Sequence, residues 1–269
     1  MTNSLDLARR FADLHTPAAP LALANAWDVA SARLVEAAGA PAVATTSAGV
    51  AWSLGAPDGD ALARDRALDL VARVAAAVSV PVTADIEGGF GADPAGVAQT
   101  VTGVLAAGAV GVNIEDGSRD PADHAERLAA ARAAADAAGI PLYINARVDT
   151  YLRGLGDEHT RLDETLSRAA AYLRAGASGI FVPGVTDPAT VAALAKGIDA
   201  PLNILVGPGA PGVTELGALG AARVSLGSWV AEAAYAVVRR ATEELLSRGT
   251  YGTLADSLAY GELNGLLKG

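Results

Sequence analysis

Short apolar runs alternate with longer, alanine-rich stretches along the whole chain. Each apolar run has four to seven residues, the length and composition of a buried strand. These runs lie at 21–25, 41–47, 81–86, 110–116, 141–147, 179–182, 201–206 and 222–226. Helical stretches follow them at 29–38, 60–78, 94–107, 122–138, 160–175, 188–197, 213–219 and 229–247. The pattern therefore predicts eight strands, each followed by a helix.

The junctions between helix and strand repeat one signature. In "EAAGAPAV", "LAAGAVGV", "DAAGIPLY" and "LRAGASGI" a helix stops at a glycine, and a strand begins almost at once. Glycine accepts the left-handed conformation that ends a helix, so these are turns from helix to strand. Continuous apolar strands joined by helices predict a parallel sheet with both faces covered. With eight such units we expect a (β/α)₈ barrel, and a doubly wound open sheet is the alternative.

No linker or low-complexity segment divides the chain, and we expect residues 1–269 to form a single barrel domain. A helical tail from about residue 229 to residue 269 ends it. The tail carries apolar positions that suit either the outer ring of the barrel or contact with a second subunit.

Composition narrows the classes of partner and of chemistry. The net charge is −10 and no cluster of Lys and Arg occurs, so neither nucleic acid nor a membrane surface is an expected partner. The absence of cysteine excludes disulfides, thiolate metal sites and cysteine-based catalysis. The acidic residues in "MTNSLDLARRFADLHTP" are unlike a signal peptide, and no apolar run approaches the length of a membrane span. We expect a cytoplasmic protein.

Acidic residues collect where the third and fourth strands end. Asp85 and Glu87 follow the third strand, Glu115 follows the fourth, and Asp58 lies in the loop "AWSLGAPDGD". A lone acid at a strand end is more often a helix cap or a turn residue. Several acids at one mouth, however, repel each other unless a cation lies between them. Oxygen ligands without His or Cys favour Mg²⁺, with Mn²⁺ as the other choice, so we predict a metal site here.

Three other features have two interpretations each. Arg147 is the cation within the acidic mouth, and it would either pair with Asp149 or Glu115 or offer a bidentate fork to a substrate carboxylate or phosphonate. For His124 we favour a surface histidine. The segment "VGPGAPG" at 206–212 follows the seventh strand, where barrels often bind phosphate. It lacks a phosphate-loop spacing, and a plain turn is favoured.

Four ordered motifs carry a family resemblance: "TTSAGVAWSLGAPDGD", "ADIEGGFG", "VNIEDG" and "INARVDTYL". Together they resemble the isocitrate lyase/phosphoenolpyruvate mutase superfamily, in the branch of methylisocitrate lyase, oxaloacetate decarboxylase and phosphonopyruvate hydrolase. The resemblance implies a (β/α)₈ barrel, a Mg²⁺ ion, and a last helix exchanged between subunits of a homotetramer.

The resemblance also implies roles for particular residues. Asp85 would bind the metal directly, and Asp58, Glu87 and Glu115 would act directly or through water. The backbone amides of Thr46, Ser47 and Ala48 would hold the carboxylate of a 2-oxo acid, and Arg147 would bind a carboxylate or phosphonate. Arg147, Glu115 and Asp58 are thus the expected catalytic residues. Asn203 and Trp27 complete the set of expected substrate contacts.

Departures from the family pattern limit the reaction. Lyases of the family carry a loop of the type KKCGH after the IED motif, but "IEDGSRDPADHAERL" has neither its Cys nor its paired lysines. Relatives that cleave tricarboxylates have a Glu and an Arg where this chain has Gly184 and Ala231. We therefore expect a Mg²⁺-dependent lyase or decarboxylase acting on a small 2-oxo dicarboxylate such as oxaloacetate, through a pyruvate enolate protonated by water. Hydrolysis or rearrangement of the C–P bond of phosphonopyruvate is one alternative, and a metabolite-binding barrel with little activity is another.

Overall fold

Nine short parallel strands form the sheet of this protein, whose residues 2–268 are described by a computed structural model. The strands are β1 (Leu21–Leu23), β2 (Asn25–Ala26), β3 (Val43–Thr45), β4 (Val82–Asp85), β5 (Gly111–Glu115), β6 (Tyr143–Arg147), β7 (Gly179–Val182), β8 (Leu202–Leu205) and β9 (Ala221–Ser225). Their order in the sheet is β1-β9-β8-β7-β6-β5-β4-β3-β2. The prediction of parallel strands in sequential order is confirmed.

The first strand of the sequence prediction closes the barrel. It is divided at Ala24 into two pieces that pair with different neighbours. In β1, Leu21 pairs with Arg223 of β9, and in β2, Asn25 pairs with Ala44 of β3. The two edges of the sheet thus meet in one stretch of chain, which confirms the (β/α)₈ barrel with a first strand in two parts.

Helices surround this sheet. They are α1 (Thr2–Asp13), α2 (Val29–Ala37), α3 (Ser47–Ser53), α4 (Arg64–Ala77), α5 (Pro94–Ala106), α6 (Pro121–Ala137), α7 (Arg161–Arg174), α8 (Pro188–Gly197), α9 (Val213–Ala218), α10 (Trp229–Arg248) and α11 (Tyr260–Leu266), with a 3₁₀ turn at Gly252–Leu254. All eight predicted helices are present, and α1, α3 and α11 were not separately predicted. Within residues 2–268, none of the helices has both the length and the apolar composition to cross a bilayer.

The principal core lies between the strands and the outer helices. Val112 and Ile114 of β5 point outward into it and are fully buried against α5 and α6 residues such as Val101 and Leu128. Because side chains alternate along a strand, Asn113 of the same strand points into the barrel. The sheet thus uses its apolar positions for packing and its alternate positions to line the barrel interior and mouth.

Helix α1 packs at the amino-terminal end of the barrel. Phe11 is fully buried and meets the ring of Tyr143 edge to face, with ring centroids 5.5 Å apart. The His15 ring stacks on Tyr143 at 3.9 Å. Burial, with the charge of the buried Arg223 nearby, lowers the pKa of His15 to about 3, so the imidazole in this cluster is neutral.

Candidate active site

A cavity of about 200 Å³ lies at the carboxyl ends of the strands. Ligand pockets commonly measure about 300–1,000 Å³, so this one suits a small molecule. Polar groups come mainly from β2 to β6 and apolar groups mainly from β7 and β8. The lining residues are Asn25, Thr46, Ser47, Ala48, Asp58, Asp85, Asn113, Arg147, Leu152, Phe181, Pro183, Leu205, Ser225, Gly227 and Ser228.

Asp85 is held in a fixed orientation at the end of β4. Its side chain accepts a hydrogen bond from Asn113 Nδ2 (3.2 Å) and another from the Glu87 backbone N–H (3.1 Å). Its own N–H donates to Thr45 Oγ1 at 3.0 Å. Burial raises the pKa of Asp85, whereas the Arg147 charge and these two hydrogen bonds act in the opposite direction. The carboxylate is therefore oriented before any ligand arrives.

Glu87 sits on a strained backbone beside Asp85. Its φ is +51°, a left-handed conformation that costs about 1–3 kcal/mol for a residue with a side chain. The turn is fixed because the Glu115 N–H donates to Glu87 O at 2.9 Å, and the Asp60 N–H donates to Glu87 Oε2. Within residues 2–268, the buried Oε1 atom of Glu87 has no hydrogen-bond partner. Burial, with Asp58, Asp60 and Asp85 nearby, raises the pKa of Glu87 to about 7.

Arg147, at the end of β6, forms both of the ion pairs considered from the sequence. Its Nε and Nη2 donate to the two carboxylate oxygens of Asp149 at 2.6 and 3.0 Å. Its Nη1 lies 2.5 Å from Glu115 Oε2. Arg147 also lines the cavity, so ion pairing and exposure to a ligand are compatible. Its charge is shared between two carboxylates before a substrate binds.

Burial and neighbouring charges act in opposite directions on the pKa of Glu115. Arg147 lowers the pKa of this carboxyl group, but burial and the negative charges of Asp85, Asp149 and Asp58 raise it to about 7. Arg153 lies further away, with Nη2 3.9 Å from Glu115 Oε1. The repulsion among these acids is therefore only partly offset by the arginines.

Short helix α3 brings Thr46, Ser47 and Ala48 to the cavity. Thr46 is extended, with φ −118° and ψ 125°, and Ser47 begins the helix, although the sequence pattern placed residues 46 and 47 in the strand. The first hydrogen bond within the helix runs from Val50 N–H to Thr46 O at 3.0 Å. The amides of residues 47–49 precede it and have no acceptor within the helix. They are available to a small anion in the cavity.

The structure places the expected site residues in two groups. Asp58, Asp85, Arg147 and the Thr46–Ala48 segment line the cavity together. Glu87 and Glu115 lie beside it, turned toward Asp60 N–H and Arg147.

Trp27 and Asn203 are not among the lining residues. Trp27 packs beside Val50 and Leu62, and the buried Asn203 Oδ1 accepts a hydrogen bond from Ser225 Oγ at 2.7 Å. The roles of all these residues in binding and catalysis stay predictions.

Several cavity residues were not named from the sequence as site residues. Asn113 holds Asp85, and the signal for it was available, because Asn113 is two positions before Glu115 and faces the same side of β5. Phe181 and Leu205 were treated only as strand residues. Leu152 lies in the loop after β6, where periodicity gives no signal.

The loop between β5 and α6 is short and packs beside the cavity without lining it. Arg119 lies over Gly88, where an added Cβ would be 2.4 Å from Arg119 Nη2, and it donates to Asp60 Oδ2 at 3.3 Å. None of residues 116–124 lines the described cavity. The loop therefore supplies no acid or base to it.

His124 corrects one expectation from the sequence. It is fully buried against Tyr172, with ring centroids 4.7 Å apart, and is not a surface histidine. Burial and the neighbouring arginines lower its pKa to about 3, which keeps the imidazole neutral. Its position early in an alanine-rich helix did not reveal that this face of α6 packs against α7.

Gly184 and Ala231, the two positions at which we expect a difference from tricarboxylate-cleaving relatives, have different surroundings. A Cβ on Gly184, whose φ is +89°, would lie 2.6 Å from Leu152 N and 2.7 Å from Leu152 Cα. Ala231 is fully buried, and its Cβ is 3.2 Å from where a Cβ on Gly49 would be. A side chain at Gly184 therefore does not fit without movement of the loop after β6, and Ala231 lies in a fully buried position.

The donor set at the mouth fits a hard divalent cation bound partly through water. Asp85 and Asp58 both line the cavity, and the nearby Glu87 has a buried oxygen without a partner. Within residues 2–268, no group of three Asp, Glu or His side chains lies close enough together to hold a metal ion by itself. Mg²⁺ usually keeps several waters and binds through one or two carboxylates, so two converging acids are enough.

A second, larger depression of about 810 Å³ lies beside α10. It is open and is lined by residues such as Trp52, Trp229, Tyr235 and Arg239, with Glu232 as its acidic member. Because it holds no group of acids, we do not assign the chemistry to it. Trp52 and Tyr235 are partly exposed, and their rings pack edge to face with centroids 6.1 Å apart.

Comparison with known proteins agrees with this geometry. The sequence profile described as phosphoenolpyruvate phosphomutase matches residues 11–246. This chain belongs to the isocitrate lyase/phosphoenolpyruvate mutase superfamily. Relatives of this superfamily protein include a 2-methylisocitrate lyase and oxaloacetate decarboxylases, so the acids at the strand ends lie in a barrel of the lyase and mutase superfamily.

Individual relatives cover most of its length. A Mycobacterium tuberculosis protein, Rv1998c, is 42% identical over 224 residues, 81% of each chain. Oxaloacetate decarboxylase 2 of Pseudomonas fluorescens is 33% identical over 78% of this chain and 72% of its own. The 2-methylisocitrate lyase of Escherichia coli is 32% identical over 68% of this chain and 64% of its own.

Solved structures show the same fold. A Burkholderia cenocepacia J2315 protein provisionally named a lyase/mutase superposes with a TM-score of 0.89 at 39% identity, covering 98% of this chain and 96% of its own. A phosphonopyruvate hydrolase in complex with oxalate and Mg²⁺ superposes with a TM-score of 0.81 at 24% identity, covering 96% and 95%.

Proposed function

We propose that this protein is a Mg²⁺-dependent lyase that decarboxylates a small 2-oxo dicarboxylate of the oxaloacetate type. The observation that carries the proposal is the shared cavity of Asp85, Asp58 and Arg147, which combines oxygen donors for a cation with a cation for a carboxylate. Oxaloacetate decarboxylases among the relatives support the reaction. The complex of a phosphonopyruvate hydrolase with oxalate and Mg²⁺ supports the metal, with Mn²⁺ as an expected substitute.

Different residues of the cavity would bind different parts of the substrate. The amides of Ser47 and Ala48 would hold the carboxylate next to the 2-oxo group, because they have no acceptor within α3. The Thr46 N–H, expected from the sequence to join them, already donates to Ala26 O at 3.0 Å. Arg147 would contact the substrate with the N–H groups that Asp149 and Glu115 leave unused. Asn113 would keep Asp85 oriented through its 3.2 Å hydrogen bond.

The metal site would consist of Asp85 and Asp58, with Glu87 and Glu115 acting through water. A divalent cation bound there supplies Lewis-acid stabilisation for the negative charge that develops on a 2-oxo oxygen. Burial is the main cause of the raised pKa values at Asp85, Glu87 and Glu115, and neighbouring carboxylates raise them further, so a bound cation would stabilise the charged forms of these groups.

In the reaction, the bond between C3 and C4 of oxaloacetate breaks and C4 leaves as CO₂. The electron pair of that bond gives the enolate of pyruvate, and C3 then takes one proton. Among the described lining residues there is no His, Lys or Tyr, and none of residues 116–120 lines the cavity. Water is therefore the proposed proton donor.

The test is pyruvate release from oxaloacetate, measured for the wild type, the wild type with EDTA, and Asp85→Ala. We expect EDTA to reduce the rate to that of buffer with EDTA and no protein, and the substitution to reduce it to that of buffer with free Mg²⁺ and no protein. Asp69→Ala is a matched control, because Asp69 is a mostly exposed carboxylate that pairs with Arg73 on α4, and it should leave the rate unchanged. Equal rates of pyruvate release in all samples would contradict the proposal.

Parallel assays would distinguish two other possible functions of the same site. Turnover of phosphonopyruvate but not oxaloacetate, followed by phosphorus NMR, would assign C–P chemistry instead. Thermal stabilisation by oxalate and Mg²⁺ without turnover of either compound would identify a metabolite-binding barrel with little activity.

We also propose that the protein self-associates through α10. Large apolar side chains on this helix and after it are exposed, including Trp229, Val238, Leu246, Tyr251 and Tyr260. An exposed apolar surface of this kind is typical of a protein interface. Sedimentation analysis should show a dimer or tetramer that Leu246→Glu weakens, and a monomeric wild type would contradict this.

A further inference from the structure

The cavity has two chemically different sides. Its carboxylates lie on the side formed by β4 and the loop after β3, whereas the opposite side is mostly apolar, with the uncharged Ser225 and Ser228 at its border. Leu152 follows β6, Phe181 and Pro183 lie at the end of β7, and Leu205 ends β8. We call these four residues the apolar wall. Phe181 pairs with Arg147 in the sheet, so the wall begins directly beside the guanidinium.

Glycines hold two members of the wall in place. Leu152 packs on Gly184, where an added Cβ would be 2.7 Å from Leu152 Cα. Leu205 packs on Gly227, where an added Cβ would be 2.7 Å from Leu205 Cδ1. Because backbone glycines leave this space, the leucine side chains reach the cavity. The wall is thus a built feature of the barrel mouth.

The two sides of the cavity also differ in how they would interact with a charged group. Among the lining residues Arg147 is the cation, and Asp149 and Glu115 already share its charge. A carboxylate placed against the wall would lose water without gaining a cation, which is unfavourable. An alkyl group placed there would gain apolar contact. The wall therefore fits an apolar substituent better than a further acidic group.

We propose that the apolar wall receives an alkyl substituent on C3 of the substrate. On this assignment, which rests on the proposed function, the preferred substrates are 3-alkyl 2-oxo dicarboxylates, with 3-methyloxaloacetate as the simplest. The bond between C3 and C4 breaks, C4 leaves as CO₂, and the electron pair gives the enolate of 2-oxobutanoate. C3 then takes one proton from water, so atoms and charge balance without a further reactant.

The size of the cavity limits the substituent. At about 200 Å³ it must hold the 2-oxo acid as well as the alkyl group, so methyl or ethyl is expected and a long chain is not. One additional methylene in an apolar pocket commonly changes kcat/KM by about 10–200-fold. We expect 3-methyloxaloacetate to exceed oxaloacetate by at least the lower value.

The test compares kcat/KM for 3-methyloxaloacetate and oxaloacetate, by release of 2-oxobutanoate or pyruvate. The wild type should prefer the methylated substrate about tenfold or more. Leu205→Ala and Leu152→Ala should reduce this ratio, and Leu152 is half-exposed, so its substitution preserves the fold. Leu105→Ala, on helix α5 away from the cavity, is the matched control and should keep the ratio.

Equal rates, or a preference for oxaloacetate, would overturn the inference and assign the wall to the departing CO₂. Absence of turnover with both substrates would contradict the proposed function but would still allow a decision here. In that case binding of pyruvate and 2-oxobutanoate is compared by calorimetry in the presence of Mg²⁺. Tighter binding of 2-oxobutanoate, weakened by Leu205→Ala, supports the wall, and equal or weaker binding overturns it.

Discussion

Substitution of Gly184 tests whether the loop after β6 is shaped by close packing at this glycine. In Gly184→Ala the new Cβ would lie 2.6 Å from Leu152 N, 2.7 Å from Leu152 Cα and 2.9 Å from Tyr151 C. These are backbone atoms, so the contact cannot be relieved by a side-chain rotation. The φ of +89° adds a conformational cost for any residue other than glycine.

Gly209 allows these two costs to be separated. It has the same φ of +89°, but an added Cβ would meet nothing within 4 Å. The unfavourable backbone conformation alone costs about 1–2 kcal/mol, and this is the loss of stability expected for Gly209→Ala. Overpacking adds about 1–3 kcal/mol, so Gly184→Ala should lose about 2–5 kcal/mol.

The assay is urea unfolding of both variants, followed by circular dichroism, with the slope checked against that of the wild type. Gly184→Ala should unfold at a clearly lower urea concentration than Gly209→Ala. It should also displace Leu152 and so change activity, whereas Gly209→Ala should not. Equal losses of stability would refute the reasoning, because they would leave no contribution from contact with residues 151 and 152.

Two further predictions follow from the charged groups. Arg147→Lys keeps a positive charge but loses the planar guanidinium that joins Asp149 and Glu115. We therefore expect kcat/KM for the 2-oxo acid to fall by on the order of 100-fold. An unchanged kcat/KM would contradict the role of the guanidinium. The pKa of His124 is about 3 in the fold and about 6.5 when unfolded, so its contribution to stability is full above pH 6.5 and is lost as the pH falls toward 3. Chemical unfolding at pH 7.5 and pH 5 should therefore show that His124→Leu loses about 2 kcal/mol less stability on acidification than the wild type, because His15, whose pKa is equally low, is unchanged in the variant. A loss as large as that of the wild type would be inconsistent with a buried neutral imidazole at His124.

Much of the fold was predictable because the determining signals are local. Glycine at the ends of helices, followed directly by apolar runs, gave both the number of units and the parallel arrangement. The break at Ala24 was not predictable, because it arises where one stretch of chain pairs with β9 on one side and β3 on the other. Nor was α3, whose first residue Ser47 continues an apolar run in the sequence while the backbone turns helical.

The sequence predicted that several acids and Arg147 would lie at one end of the barrel, and the cavity contains part of that set but neither Trp27 nor Asn203. Carboxyl ends of parallel strands lie at the same edge, so Asp85 and Glu115 were expected to be neighbours, and Asn113, paired with Asp85 in the sheet, belongs with them. The direction of each side chain depends on contacts between distant segments. Glu87 turns toward the Asp60 N–H because of its left-handed backbone. Leu152 reaches the cavity because Gly184 leaves room for it.

Calorimetric titration with Mg²⁺ in the presence of oxalate tests the central assignment most directly. If Asp85 and Asp58 form the metal side of the cavity, the wild type should bind one Mg²⁺ per chain. Asp85→Asn, which keeps the size of the side chain but removes its charge, should weaken this binding at least about tenfold, equivalent to about 1.4 kcal/mol. Asp69→Asn on the surface of α4 should bind as the wild type does. Equal affinity in the wild type and Asp85→Asn would contradict the account.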